Sequence, residues 1–401
     1  MGHLCPACSA VFPNAMSPVL SPPYAPIVHI GPAYPYRGGI AHFTECTARS
    51  LKEMGYPPVL CTFQRQYPEW LFPGRTQTVT DTPPPPDLPI PHRRIDTLNP
   101  LSWHRTARWM QNGPFGGAVI QYWMPFMAPP FSWLAWRMRS AGRPVVAVVH
   151  NALPHERHVG DRWLSKGFLH QIDGAIALSD TVARDVHALA HDLPVLQVDH
   201  PTYTRFGPAP DRATARAQLN LPAEGPIVLF FGFVRQYKGL DLLLDAWPDV
   251  QAVHPDAWLC VAGEAYDAPA PYQAQIDALP QPDQVRWDDR YIPEREVARY
   301  FAAADLVVQP YRHATQSGVV RVAAHFDRPV VVTDVGNLPN AIDEGRTGFI
   351  VPPESPGQLG ATVARALQPE TLALLSGPDT NEGASGALAH ALHELLRNAR
   401  L

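Results

Sequence analysis

"GFVRQYKGLDLLLDAW", Gly232–Trp247, directly follows the apolar run "IVLFF", Ile227–Phe231. An apolar run of strand length, a glycine-bearing turn and then leucines at helical spacing predict strand, turn and helix. The turn holds two cations three residues apart, Arg235 and Lys238. Of the 32 basic residues in the chain only three are lysines: Lys52, Lys166 and Lys238. A lysine kept against that bias marks a place where a compact ammonium is wanted rather than a planar guanidinium. Two fixed cations beside a helix N-terminus suit a diphosphate and the charge that grows as it leaves. A solvated surface pair is the alternative.

The same alternation extends in both directions. Upstream, "IVHIGP", "PPVLCTF", "GAVIQYW", "PVVAVVH" and "GAIALS" read as buried strands, and "GGIAHFTECTARSLKEMGY" as a helix ending at Gly55. Downstream, "AWLCVAG", "QVRWDD", "DLVVQPY", "RPVVVTD" and "TGFIVPP" are strands, with "EREVARYFAAA" and "SGVVRVAAHF" as helices. Between the two series "PTYTRFGPAPDR", Pro201–Arg212, reads as a linker. Two successive series of this kind predict an α/β chain of two doubly wound, Rossmann-like domains facing across a cleft. The expected boundaries are a disordered tail over 1–26, a first domain over 27–205 and a second over 206–401, with the last helix returning to the first domain.

Composition narrows the classes. The chain has 401 residues, 46% of them hydrophobic, yet no uninterrupted apolar segment approaches the ~20 residues of a spanning helix. The nearest, "YWMPFMAPPFSWLAW" (Tyr122–Trp136), is broken by Pro125, Pro129 and Pro130. Its aromatics either touch a membrane or a lipid-linked acceptor, or pack under proline-rich loops such as "DTPPPPDLPIP". The first 20 residues lack a basic start and a continuous apolar middle, which predicts no secretion signal, and Met16 is an alternative start. The expected location is the cytoplasm, with a peripheral position at the inner face of the membrane as the second expectation. Five scattered cysteines make no disulfide framework. "HLCPACS" places His3, Cys5 and Cys8 like half a zinc site, but no second pair follows. Residues 1–205 carry +4 and 206–401 carry −9, together the stated −5. This balance excludes a general nucleic-acid binder and allows an anionic partner on the first half.

Ligands of such sheets bind beyond the carboxyl ends of the strands, so the strand-to-helix turns matter most. "GPAYPYRGGIAHF" places Gly38 and Gly39 where a loop becomes a helix. They either admit an anion to backbone N–H groups or ease a tight turn. There is no G-x-G-x-x-G and no acidic ribose hook, so a dinucleotide fingerprint fails. In "QPYRHATQSGVVRVAAHF", Gln316, Ser317 and Gly318 open a helix, as an anion site or as an ordinary Ser N-cap. His150 ends "PVVAVVH" and opens "HNALPHE"; its ring either faces the cleft or is a satisfied structural group, and His155 is a weaker candidate in the same loop.

Taken together, "PYRGGIAHFT", "HNALPHE", "FGFVRQYKGLDLLLDA", "YIPEREVARYFAAADLVVQPY" and "RPVVVTDVGNLPNAIDEGRTGFIVPP" resemble the GT-B glycosyltransferases of family 4, from Ile27 to Pro353. The resemblance implies retaining transfer of a sugar from a UDP-, GDP- or ADP-sugar to a carbohydrate or lipid-linked acceptor, as in bacterial polysaccharide or glycolipid synthesis. It implies no metal and no other cofactor. Carried over, Arg235 and Lys238 would neutralise the leaving diphosphate, and His150 would sit near the transferred sugar. Gly38 and Gly39 would approach the donor phosphates, and Ser317, Gly318 and Val319 would offer them N–H groups. Gly263 and Glu264 would lie by the donor, and Tyr291 and Ile292 would flank the base. The chain departs from the family at two glutamates eight positions apart, whose places hold Ala314 and Val322. Arg312, His313 and Arg321 are the polar residues nearby, and Asn337 and Asn340 replace a usual Gly and Glu. A nucleotide-sugar epimerase, a glycogen-synthase-type polymerase and a non-catalytic sugar-nucleotide-binding protein remain the competing expectations.

Overall fold

The computed structural model describes residues 24–399 apart from 73, 80–82, 155–157, 201–205, 315–316 and 380–382. The expected tail up to residue 23, with Cys5 and Cys8, lies outside the described residues, as do His155 and Gln316.

In chain order the first half forms β1 (Ile27–Ile30), α1 (Gly39–Glu53), β2 (Pro58–Arg65), β3 (His92–Asp96), α2 (Pro100–Asn112) and β4 (Gly117–Tyr122). It continues with α3 (Ala128–Arg139), β5 (Val145–Val149), α4 (Asp161–Leu169), β6 (Gly174–Ala177), α5 (Asp180–Leu189) and β7 (Val195–Gln197). The second half forms α6 (Arg212–Gln218), β8 (Ile227–Phe231), α7 (Leu240–Val253), β9 (Trp258–Ala262), α8 (Ala270–Asp277) and β10 (Val285–Asp288). Then follow α9 (Glu294–Ala303), β11 (Leu306–Gln309), α10 (Gly318–His325), β12 (Val330–Thr333) and β13 (Gly348–Val351). The chain ends in α11 (Pro356–Ala366), α12 (Pro369–Leu372) and α13 (Ala384–Asn398).

These strands make two parallel sheets, ordered β3-β2-β1-β4-β5-β6-β7 and β10-β9-β8-β11-β12-β13. Both sheets reverse direction of growth beside their first strand, at β1/β4 and β8/β11, and that switch point opens a crevice at the carboxyl ends. The strands are apolar runs because both faces are covered. In β5, for example, Val145, Ala147 and Val149 face one core while Val146 and Val148 face another. The second of these cores is closed by α13, whose Leu388, Leu392 and Leu395 repeat at helical spacing and pack with Ile27, Val119 and Ile176.

The aromatic stretch divides between its two readings. Tyr122, Trp123 and Phe131 are buried, whereas Trp133 and Trp136 are exposed. Its prolines do not break the helix: Pro129 and Pro130 occupy the first turn of α3, where a missing N–H leaves no helical bond unmade.

Candidate functional site

A cavity of about 410 Å³ lies between the two domains. Gly38, Gly39 and His150 enter it from the first domain. Lys238, Gly263, Glu264, Tyr291 and Ile292 enter from the second, with Ser317, Gly318 and Val319 at the start of α10. Thus the N-terminal ends of α1 and α10 and the turn leading into α7 meet at one space, and the partial positive charge of helix N-termini favours an anion there. Arg235 stands outside this lining; its guanidinium lies over the Tyr266 ring, 5.5 Å from the centroid.

Two glycines hold the turns together. Gly239, at φ 71°, backs onto the Pro310 carbonyl, so a Cβ there would lie 2.0 Å from that oxygen. A Cβ on Gly263 would fall 1.9 Å from the Gly232 carbonyl oxygen. These approaches press the turns after β8, β9 and β11 against each other and set Lys238 beneath them. The Lys238 Nζ sits 3.0 Å from where a Cβ on Gly232 would be, and 5.5 Å from the Tyr311 ring centroid. Among the described residues no carboxylate forms an ion pair with Lys238 or Arg235. Burial pushes the Lys238 ammonium below its ordinary value, and the charge of Arg235 adds to that.

His150 is positioned by the sheet. Its N–H bonds the Tyr122 carbonyl at 2.8 Å, and its ring meets Phe43 edge-on with centroids 4.8 Å apart. Nε2 donates to Gln121 Oε1 at 2.8 Å, and Gln121 donates onward to Thr47 Oγ1 at 3.3 Å. Burial, with a smaller contribution from His200, holds the His150 pKa down at about 3. The ring is therefore neutral, with Nε2 protonated and Nδ1 left as an acceptor.

Glu264 is committed across the domain gap. Its carboxylate pairs with the Arg37 guanidinium and accepts the Arg75 backbone N–H, while the Arg75 side chain pairs with Asp289. Arg37 also lies 4.6 Å above the Tyr291 ring. At the start of α10, Ser317 is an N-cap: its hydroxyl accepts the Val319 N–H at 3.2 Å and donates to Gln309 Oε1. Ala314 and Val322 both line the cavity, so its wall is apolar at those two places. Arg312 is held by Asp241 at 2.7 Å, and His313 and Arg321 stand outside the lining.

Several lining residues escaped the sequence reading. His42, whose Nδ1 lies 3.6 Å from Glu294 Oε1 across the gap, follows Gly39 by one helical turn. That i, i+3 spacing in "GIAH" was a usable signal. Phe206, in the stretch read as a linker, stacks on His42 at 6.4 Å and lines the cavity; nothing local in the sequence distinguishes it. Among the described residues no three His, Cys, Asp or Glu side chains gather as a metal-ligand set.

The model described as "Glycosyltransferase Family 4" matches residues 37–195, and "Glycosyl transferases group 1" matches residues 225–369. The chain belongs to the family 4 glycosyltransferases. Among curated family members it is similar to the D-inositol 3-phosphate glycosyltransferase of Segniliparus rotundus, 34% identical over 40% of this chain and 37% of that one. It is also similar to the Thermobispora bispora protein of that name, 31% identical over 55% of this chain and 52% of the other. The chain thus matches about half or less of the length of these relatives. Solved structures of the same GT-B fold include sucrose-phosphate synthase from Thermosynechococcus elongatus, with TM-score 0.66 and 20% identity over 93% of this chain and 97% of that one. Anabaena HepE in complex with UDP-glucose gives TM-score 0.67 and 16% identity over 94% of this chain and 98% of that one.

Proposed function

We propose that this family 4 chain transfers a sugar, with retention, from a nucleotide diphosphate-sugar to a carbohydrate or lipid-linked acceptor. One observation carries the reading: a half-buried Lys238 ammonium, unpaired with any carboxylate among the described residues, faces a cavity that the N-termini of α1 and α10 also enter. Such a group is stabilised by an incoming diphosphate and stabilises in turn the charge that develops as the anomeric bond breaks. Gly38 and Gly39 approach the phosphates from the first domain, and the α10 start with Ser317, Gly318 and Val319 from the second. Arg235 acts at longer range, from outside the cavity lining. His150 accepts a sugar hydroxyl at Nδ1, held in aim by Gln121, and Tyr291 and Ile292 flank the base. Gly263 and Glu264 form the donor-side wall. The departing phosphate oxygen takes the acceptor's proton, and the step requires neither metal nor cofactor.

The test is a thermal-shift panel of UDP-, GDP- and ADP-sugars, since a ligand that binds only the folded state raises Tm. UDP-glucose comes first, because HepE was solved with it. Inositol phosphate is a reasonable first soluble acceptor, given the names of the curated relatives. One donor class should raise Tm, and product analysis should show transfer with an unchanged anomeric configuration. A panel without any shift, or a donor altered when no acceptor is present, overturns the reading.

A further inference from the structure

We propose that the outer face of α2, α3 and α4 is a docking surface for an anionic phospholipid bilayer. A groove of about 610 Å³ runs over this face, lined by Trp103, Trp133, Trp136 and Trp163 together with Pro129 and Leu164. Trp163 is 77% exposed, Trp136 46% and Trp133 36%, and Leu101 at the head of α2 is 66% exposed. Four tryptophans from three separate helices around one open groove are not scattered surface residues; a contiguous aromatic patch of this kind marks an interaction site.

The charge around the groove says what covers it. Helices α2, α3 and α4 contain Arg105, Arg108, Arg137, Arg139, Arg162 and Lys166, against the single acid Asp161. Arg139 is neutralised by Asp173, and Arg137 is bonded to Gln111. The other four are exposed and form no ion pair among the described residues, in a chain whose net charge is −5. Helical spacing gathers Leu101, Arg105 and Arg108 on one face of α2 and puts Arg162 and Lys166 on one face of α4. An indole groove on helices that also expose unpaired bases matches the bilayer boundary, where Trp sits at headgroup depth and Lys and Arg meet lipid phosphates.

The fold connects this face to the cavity. In a parallel sheet each helix starts near the carboxyl edge, so Leu101, Pro129 and Trp163, all in first turns, lie toward the edge where His150 enters the cavity. Docked this way, the first domain presents the cleft mouth near the lipid. The docking surface deepens the proposed function by placing the acceptor at a membrane, and rests on that reading only for its purpose.

The test is flotation of the full chain with vesicles of phosphatidylcholine alone or mixed with phosphatidylglycerol, at low and high salt. Two double variants accompany it, Trp136→Ser with Trp163→Ser, and Arg162→Glu with Lys166→Glu. The wild type should float with the anionic vesicles only and be released by salt. Each variant should bind at least about tenfold less with an unchanged Tm, since each surface basic group contributes severalfold to partitioning. Wild type that ignores anionic vesicles, or variants that float like wild type, overturns the proposal. So does a dimer in sedimentation equilibrium that the tryptophan variant breaks while vesicles stay unbound, because the groove then seats a second copy of the chain. The assay contains no sugar donor, so its failure is separate from a failure of the donor panel.

Discussion

Lys238 joins the fold's local geometry to the proposed chemistry. It lines the cavity beside the Gly232 backbone and the Tyr311 ring, pairs with no carboxylate among the described residues, and is held below its ordinary pKa by burial. Lys238→Met keeps the stem and removes the charge. The variant should lose about 10²–10³ in transfer rate, the usual cost of deleting one preorganised charge contact. It should also melt no lower than wild type, because the desolvation cost disappears with the charge. Turnover assays and a melting curve on the same sample check both halves. A variant that melts lower and still turns over contradicts the role.

At the scale of elements, the turn from β1 into α1 separates two uses of glycine. An added Cβ at Gly39 meets nothing within 4 Å, and its φ lies outside the glycine-favouring region. The fold therefore has no need of glycine there, and Gly39→Ala at the head of a helix should leave Tm unchanged or slightly raised. If the turn closes on donor phosphates, the same methyl should weaken donor binding by tenfold or more, read by calorimetry. Unaltered donor affinity would show that this glycine only eases the turn. The strand, turn and helix around Arg235 and Lys238 were legible because these are local patterns. The commitment of Glu264 to Arg37 and Arg75 was not, since those partners lie 227 and 189 residues away.

For the whole molecule, buried histidines set the response to acid. His29 on β1 is fully buried with neither ring nitrogen hydrogen-bonded among the described residues, and burial holds its pKa at about 3. His150 is held at about 3 as well. Both values lie below the unfolded value of 6.5, so the unfolded chain takes up protons that the native one refuses. Their contribution is fully present above pH 6.5 and lost as pH falls toward 3, at up to ~1.4 kcal/mol per pH unit for each histidine. His29→Leu should therefore gain on wild type by about that slope as pH drops from 6.5 to 4.5, in urea unfolding. A stability difference independent of pH would contradict the assignment.

The sequence by itself determined the two doubly wound domains, the strand ends that carry the site and the family resemblance, because apolar runs, glycine turns and helical spacing act within a few residues. Tertiary structure alone decided that Arg235 stands outside the cavity while Lys238 lines it, and that Phe206 and Glu294 join it, whereas the return of α13 to the first sheet was already expected from the sequence. It also decided that Trp133 and Trp136 share an exposed groove with Trp103 and Trp163 instead of being buried like Tyr122 and Phe131. Which side chains meet across a domain gap or between separate helices depends on how whole elements pack, and no local pattern in the chain records that packing.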